Sequence, residues 1–185
     1  MTTSGGWRRF SSRYLFESRW FRVRQDGVAL PDGTQITYTM IEHPGFAIVV
    51  PMLNDERVVL ERLYRYTLQD YSLECPAGGL DGDSPEDAAH RELREETGYA
   101  AGRLVPLGVF NASTGISDER FHVFLATELH HTGETKREAT EQMELVPMPL
   151  RDAVRLAETG GIRDSASALA LILAGRSRGT ARGDI

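Results

Sequence analysis

Glu92, Glu95 and Glu96 are the residues of this chain whose type and spacing most clearly suggest chemistry. At ~100° per residue a helix would bring all three into an arc of roughly 100°. That grouping is unfavourable by itself. Like charges at i,i+4 cost roughly 0.2–0.5 kcal/mol, and two of the three would lie near the negative end of the helix dipole. A divalent cation reverses the sign. Hard oxygen ligands on a rigid helix, facing a glycine loop, suit Mg2+ holding a phosphate-bearing substrate. The competing reading is a solvated charged face on which Arg91 pairs with Glu95 at i,i+4.

The elements around these residues favour the first reading. Ser84 is placed as an N-cap, Pro85 suits the first helical position, and Glu86 and Asp87 sit where the dipole favours anions. Gly98 can end the helix in the left-handed conformation. Ala88 and Ala89 give it a small-residue side, and the turn Pro76-Ala77-Gly78-Gly79 precedes it.

Upstream, residues 14–28 read as a strand, with a turn at 31–34 and a returning strand at 36–41. Residues 46–50 and 57–62 read as a strand pair around Asn54-Asp55, and 72–75 as a short strand entering the glycine turn. Downstream, 104–110, 121–128 and 143–148 are strand-like. Residues 111–119 form a small-residue loop, and 130–142 a polar, exposed, mobile one carrying His130 and His131. Helices are expected at 150–158 and from Asp164/Ser165 to Ala174.

A chain of 185 residues fits one domain. Its 41% hydrophobic and 26% charged content is that of an ordinary globular protein. The net charge of −6 offers no general attraction for nucleic acid or anionic membrane. The longest apolar runs fall far below the ~20 residues of a bilayer span, and the arginine- and serine-bearing amino terminus lacks the apolar core of a secretory signal. Cys75 is the single cysteine. It excludes an intrachain disulfide, favours a reducing, cytoplasmic setting, and reads as a small buried hydrophobe. None of the five histidines has ligand spacing, and no P-loop, Ser-His-Asp or zinc pattern is present.

The run Arg91-Glu92-Leu93-Arg94-Glu95-Glu96-Thr97-Gly98-Tyr99 resembles the second half of the Nudix box, G-x5-E-x7-R-E-U-x-E-E-x-G-U, at every fixed position. The first half departs from it. Counted from Gly78, the segment to Arg91 is one residue short, and Asp83 stands where a glutamate is usual. The resemblance covers roughly residues 28–174 and implies an α/β/α sandwich with a mixed sheet and an N-terminal antiparallel hairpin. It divides the chain into an extension and hairpin (1–43), a catalytic domain (44–176) and a flexible tail (177–185).

Arg62-Leu-Tyr-Arg-Tyr66, Gly115-Ile-Ser-Asp-Glu-Arg120 and Gly161-Ile-Arg-Asp164 are similar to the ADP-ribose pyrophosphatase and nucleotide-sugar hydrolase branch. That likeness implies Mg2+-dependent hydrolysis, with Mn2+ able to substitute, of a nucleoside diphosphate linked to a sugar, giving a nucleoside monophosphate and a sugar phosphate. It also implies a homodimer built through the hairpin, for which Trp7, Phe10, Phe16, Trp20 and Phe21 supply aromatic surface. Glu92 and Glu96 are the expected metal ligands, with Glu95 a third or water-bridged one and the Ala77 carbonyl another. Arg91 orients the glutamates. By resemblance the general base comes from the polar loop, where Glu141 fits best and Glu138 is its rival. Arg65 is the candidate phosphate or terminal-sugar contact, and Glu119 a candidate for sugar hydroxyls, metal support or catalysis. Gly115 lets its loop approach the ligand.

The branch usually carries prolines where this chain has Ala112-Ser113-Thr114-Gly115. Their loss predicts a more adaptable wall around the sugar, hence a hexose-linked or broad substrate range. Alternatives are a Nudix-fold sensor that binds without cleaving, and a dinucleoside polyphosphate or cap hydrolase.

Overall fold

The computed structural model describes residues 5–133, 135 and 143–181, and the chain divides into two compact units. One comprises Met1–Gly45 with Asn111–Arg120, the other Phe46–Phe110 with Phe121–Ile185.

The first unit is an antiparallel sheet of β1 (Arg8–Glu17), β2 (Arg22–Ala29) and β3 (Gln35–Glu42) in that order. The single strand expected over 14–28 is therefore two. The chain reverses at Ser18, whose hydroxyl accepts from the Trp20 and Phe21 N–H groups at 3.2 and 3.1 Å. A serine turn of this kind gives almost no signal inside an aromatic-rich run. Trp7, Phe10, Phe16 and Trp20 are all exposed.

The second unit holds β4 (Phe46–Pro51), β5 (Arg57–Arg65), β6 (Asp70–Glu74), β7 (Ala77–Gly79), α1 (Pro85–Thr97), β8 (Tyr99–Asn111), β9 (Arg120–His131), β10 (Met143–Pro149), α2 (Leu150–Glu158) and α3 (Ser165–Ala181). Its strands form two sheets, β7-β4-β9-β8 and β10-β5-β6. Among the described residues only an isolated Met52–Val58 bridge, just past the end of β4, pairs towards β5, so the pairing expected between 46–50 and 57–62 is corrected. β4 is buried nearly throughout and β5 over Val58, Val59, Leu60 and Glu61, and such runs demand partners on both faces without saying which strand lies alongside. β4 takes β9 in parallel and β7 antiparallel.

β4 also explains the layering. Ile48 and Val50 join the core beneath α2 and α3, with Leu60, Val123, Ala170 and Leu171. Ala47 and Val49 point the other way, onto Ala88, Ala89 and Leu93 of α1. Successive strand residues thus serve opposite helical layers, the α/β/α arrangement expected from the sequence. β9 continues to His131, whose ring meets Tyr99 edge-on at 5.2 Å, so the polar loop begins later than expected. α3 runs seven residues past Ala174, so the segment assigned to a flexible tail begins as helix.

Candidate active site

The helix that carries the glutamates is delimited as its sequence requires. The Ser84 hydroxyl accepts from the Asp87 N–H at 3.2 Å, Pro85 opens the first turn, and Gly98 closes the helix at φ 74° with its N–H on the Arg94 carbonyl. Ala88 and Ala89 are fully buried, which lets α1 lie close on β4 and β7. Glu92 and Glu96 are 8% and 5% exposed, so the face carrying them is not a solvated charged stripe.

Arg91 ties this face to the glycine turn. Its Nη2 donates to the Gly79 carbonyl at 2.8 Å, its Nε to Asp83 at 3.2 Å, and its Nη1 to Glu92, with Glu95 at 3.9 Å. Burial works against the Arg91 charge, but Glu92 and Asp83 outweigh it and hold the guanidinium above its ordinary pKa. Asp83 therefore anchors this arginine despite the shortened loop. Arg91 is thus bonded to acids on both sides of it in the sequence.

Gly78 packs so close to α1 that a Cβ there would lie 2.1 Å from the Glu92 carboxyl carbon. One residue earlier, the Ala77 N–H donates to Glu96 at 3.0 Å. In extended backbone the N–H and C=O of one residue leave by the same strand edge. The Ala77 carbonyl therefore also faces α1, from the outer edge of edge strand β7.

Among the described residues no three acidic, histidine or cysteine side chains already converge as a ligand set. Glu92 is turned onto Arg91 and Glu96 onto Ala77. The donor chemistry nonetheless fits a hard divalent cation: carboxylates and a backbone carbonyl, in a cradle that Gly78 leaves open.

Arg65 ends β5. Period-two alternation puts it on the same face of the hairpin as Leu63 and Glu61, and, across the ladder, Asp70, Ser72 and Glu74. It reaches along that face to Glu74 in a two-pronged pair, Nε to Oε1 at 3.0 Å and Nη2 to Oε2 at 2.6 Å. Glu74 raises the Arg65 pKa, and Asp164 and Glu96 add to the effect. Arg65 thus lies in the field of the same Glu96 that holds Ala77.

Cys75 is buried as expected, its thiol pushed far above its ordinary pKa by burial and by Asp164 and Glu61. Its N–H donates to Ser167 of α3 at 2.9 Å, and Pro76, which has no N–H, accepts from Val49 through its carbonyl at 2.9 Å. Sequence reasoning passed over Glu74 and Ser167. Only the β5–β6 register and the docking of α3 reveal them.

Gly161-Ile-Arg-Asp164 is structural. Ile162 is buried, Arg163 bonds Asp70 and the Tyr71 carbonyl, and Asp164 accepts from the Ser167 N–H at the start of α3.

Gly115 and Glu119 belong to the first unit. Their loop is fastened to β3. The Ile41 N–H donates to Ile116, the Asp118 N–H to the Ile41 carbonyl, the Tyr38 hydroxyl to the Gly115 carbonyl and the His43 N–H to Asp118. His43 Nδ1 lies 3.1 Å from Glu119. These bonds tie the proline-free loop to β3 and His43. A Cβ at Gly115 would touch nothing within 4 Å, so the fold itself does not require glycine there. Glu141 and Glu138 lie outside the described residues.

Residues 42–168 match the NUDIX domain, and residues 7–41 match the nucleoside diphosphate sugar hydrolase N-terminal domain. The chain belongs to the Nudix hydrolase family. It is 35% identical over 160 residues to the ADP-ribose pyrophosphatase of Bacillus subtilis (strain 168), covering 85% of this chain and 86% of that one. It is 31% identical to the methanol dehydrogenase activator of Bacillus methanolicus, with the same coverage. A solved ADP compounds hydrolase superposes with a TM-score of 0.83 over 97% of both chains at 24% identity, a likeness of fold. No helix among the described residues is long and apolar enough to cross a membrane.

Proposed function

We propose that this chain is a Mg2+-dependent pyrophosphohydrolase of nucleoside diphosphate sugars, releasing a nucleoside monophosphate and a sugar phosphate. The observation that carries this is the meeting of buried Glu92 and Glu96 with the backbone of Gly78 and Ala77. Glu92, Glu96, the Ala77 carbonyl and Glu95 would hold Mg2+, or Mn2+ in its place, which supplies charge neutralisation on the diphosphate oxygens and a more acidic water.

The chain's own groups do the rest. Arg91 keeps the glutamates aimed, and Arg65 contacts the diphosphate with its outward N–H groups. Glu141 takes the proton of the attacking water, with Glu138 as its rival. Gly115 and Glu119 contribute to the sugar contact, with Glu119 also a reserve for the base. The exposed aromatic residues of the first unit support a homodimer formed through residues 1–43. A lone buried cysteine and acidic balance suit a cytoplasmic enzyme that binds neither nucleic acid nor membrane.

ADP-ribose, the substrate in the name of the Bacillus subtilis relative, and the hexose-linked GDP-mannose and UDP-glucose that a proline-free loop favours are the substrates to compare. The test is kcat/KM for all three at fixed Mg2+. Chelator should abolish turnover and Mg2+ restore it, and Glu96→Gln should lose at least ~10²-fold in kcat while keeping its melting temperature. Undiminished turnover in chelator or in that variant refutes the metal assignment, and binding without turnover in wild type would make the chain a sensor.

A further inference from the structure

We propose that Glu74 is a positioning residue for substrate: it fixes the Arg65 guanidinium so that the donors it leaves unused are presented to the diphosphate. This rests on the reading that Arg65 contacts that diphosphate. A guanidinium carries five N–H donors in a planar fork. Glu74 engages one at Nε and one at Nη2, leaving the two on Nη1 and one more on Nη2. The Glu74 side chain is 10% exposed and that of Arg65 46%, so the carboxylate is sheltered while the arginine keeps part of its surface open. Two parallel bonds fix both the position and the plane of the fork, which a single contact would not.

Stability is a weak account of this carboxylate, because a sequestered ion pair is weak evidence of stabilisation. What the arrangement does provide is a preset arginine. Arg65 is a long side chain on the last residue of an exposed strand end. Unheld, it would lose rotamer freedom each time substrate bound, typically ~0.5–1.5 kcal/mol, a factor of roughly 2–13 in affinity.

The test is a four-protein cycle assayed with ADP-ribose at saturating Mg2+: wild type, Arg65→Ala, Glu74→Gln and the double variant. Glu74→Gln should raise KM about 10-fold and leave kcat within about 2-fold, because the lost orientation affects binding. In the Arg65→Ala background the same change should have no further effect, since Glu74 acts only through the guanidinium. A calorimetric Kd for ADP-ribose in the Glu96→Gln background should shift by the same factor as KM.

A Glu74→Gln protein with wild-type KM, or one whose factor persists undiminished without Arg65, overturns the proposal. Arg65→Ala with wild-type KM instead removes the Arg65 assignment on which it rests. If Glu74→Gln lowers the melting temperature into the assay range, Glu74→Asp repeats the cycle. It keeps the charge but withdraws it by one methylene, and should show the same loss that vanishes in the Arg65→Ala background.

Discussion

Replacing Gly78 by alanine changes one methyl group and tests the metal cradle directly. The backbone at Gly78 is not left-handed, so alanine meets no conformational penalty of its own. Its Cβ would lie 2.1 Å from the carboxyl carbon and nearest oxygen of Glu92 and 2.5 Å from the other oxygen. Ordinary contact begins at 3.4 Å, so the carboxylate must retreat by about 1.3 Å (3.4 − 2.1) or swing to another rotamer. Both are open to the far end of a flexible side chain, so the fold should survive with little change in melting temperature. The ligand position should not survive. A displacement of ~1 Å in a positioned catalytic group can cost ~10²-fold, about 2.7 kcal/mol.

Gly79→Ala is the matched control. There the nearest atom is an Asp81 oxygen at 3.4 Å, already ordinary contact. Hydrolysis of ADP-ribose at saturating Mg2+, with melting curves for both variants, decides the matter. Gly78→Ala should fall about 10²-fold and Gly79→Ala stay within about 2-fold. Equal rates for the two, or a Gly78→Ala protein as active as wild type, would refute the reasoning that Glu92 must occupy its present position.

Two further outcomes are expected. Glu141→Gln should lower kcat by roughly 10²–10⁴ with metal affinity unchanged, while Glu138→Gln should be mild; the reverse pattern transfers the role to Glu138, and two mild variants return it to Glu119 or α1. The Arg163 bond holds the Asp70 carboxyl below its ordinary pKa. The stability it contributes is therefore present above the ordinary carboxylate range and lost as pH falls through the lowered value. Arg163→Ala should be less stable than wild type near neutrality and converge with it in acid; a gap independent of pH would show that the pair is not responsible.

The glutamate helix was legible because its signals are local: a cap, a proline, two small residues and a closing glycine, each acting within one turn of the group it serves. The same held for Arg91, whose acidic partners Asp83, Glu92 and Glu95 lie close in sequence. What escaped notice depended on register and docking. Nothing in the spacing of Arg65 and Glu74 shows that a long side chain runs along a hairpin face to a residue that is not its ladder partner. β4 and β5 were misassigned because a strand buried on both faces, as β4 is, loses the alternation that would identify a neighbour. The loop at 112–115 shows a related limit: its missing prolines are visible in sequence, whereas its hydrogen bonds to β3 are not.

At Cys75–Pro76 the chain passes from one sheet of the second unit to the other. Glu74 closes one sheet and Ala77 opens the other, so the span between the residue that holds Arg65 and the residue that holds Glu96 is three peptide units. That span cannot exceed about 11 Å, however the two sheets breathe. Packed contacts loosen on heating, whereas a span set by covalent bonds does not stretch. The tolerance for insertion and deletion should therefore be uneven along these few residues. The turn at 80–83 is already one residue shorter than the family pattern, yet Asp83 still reaches Arg91. One residue added or removed between Glu74 and Ala77 would instead move two functional groups at once and reverse the edge on which the Ala77 carbonyl emerges.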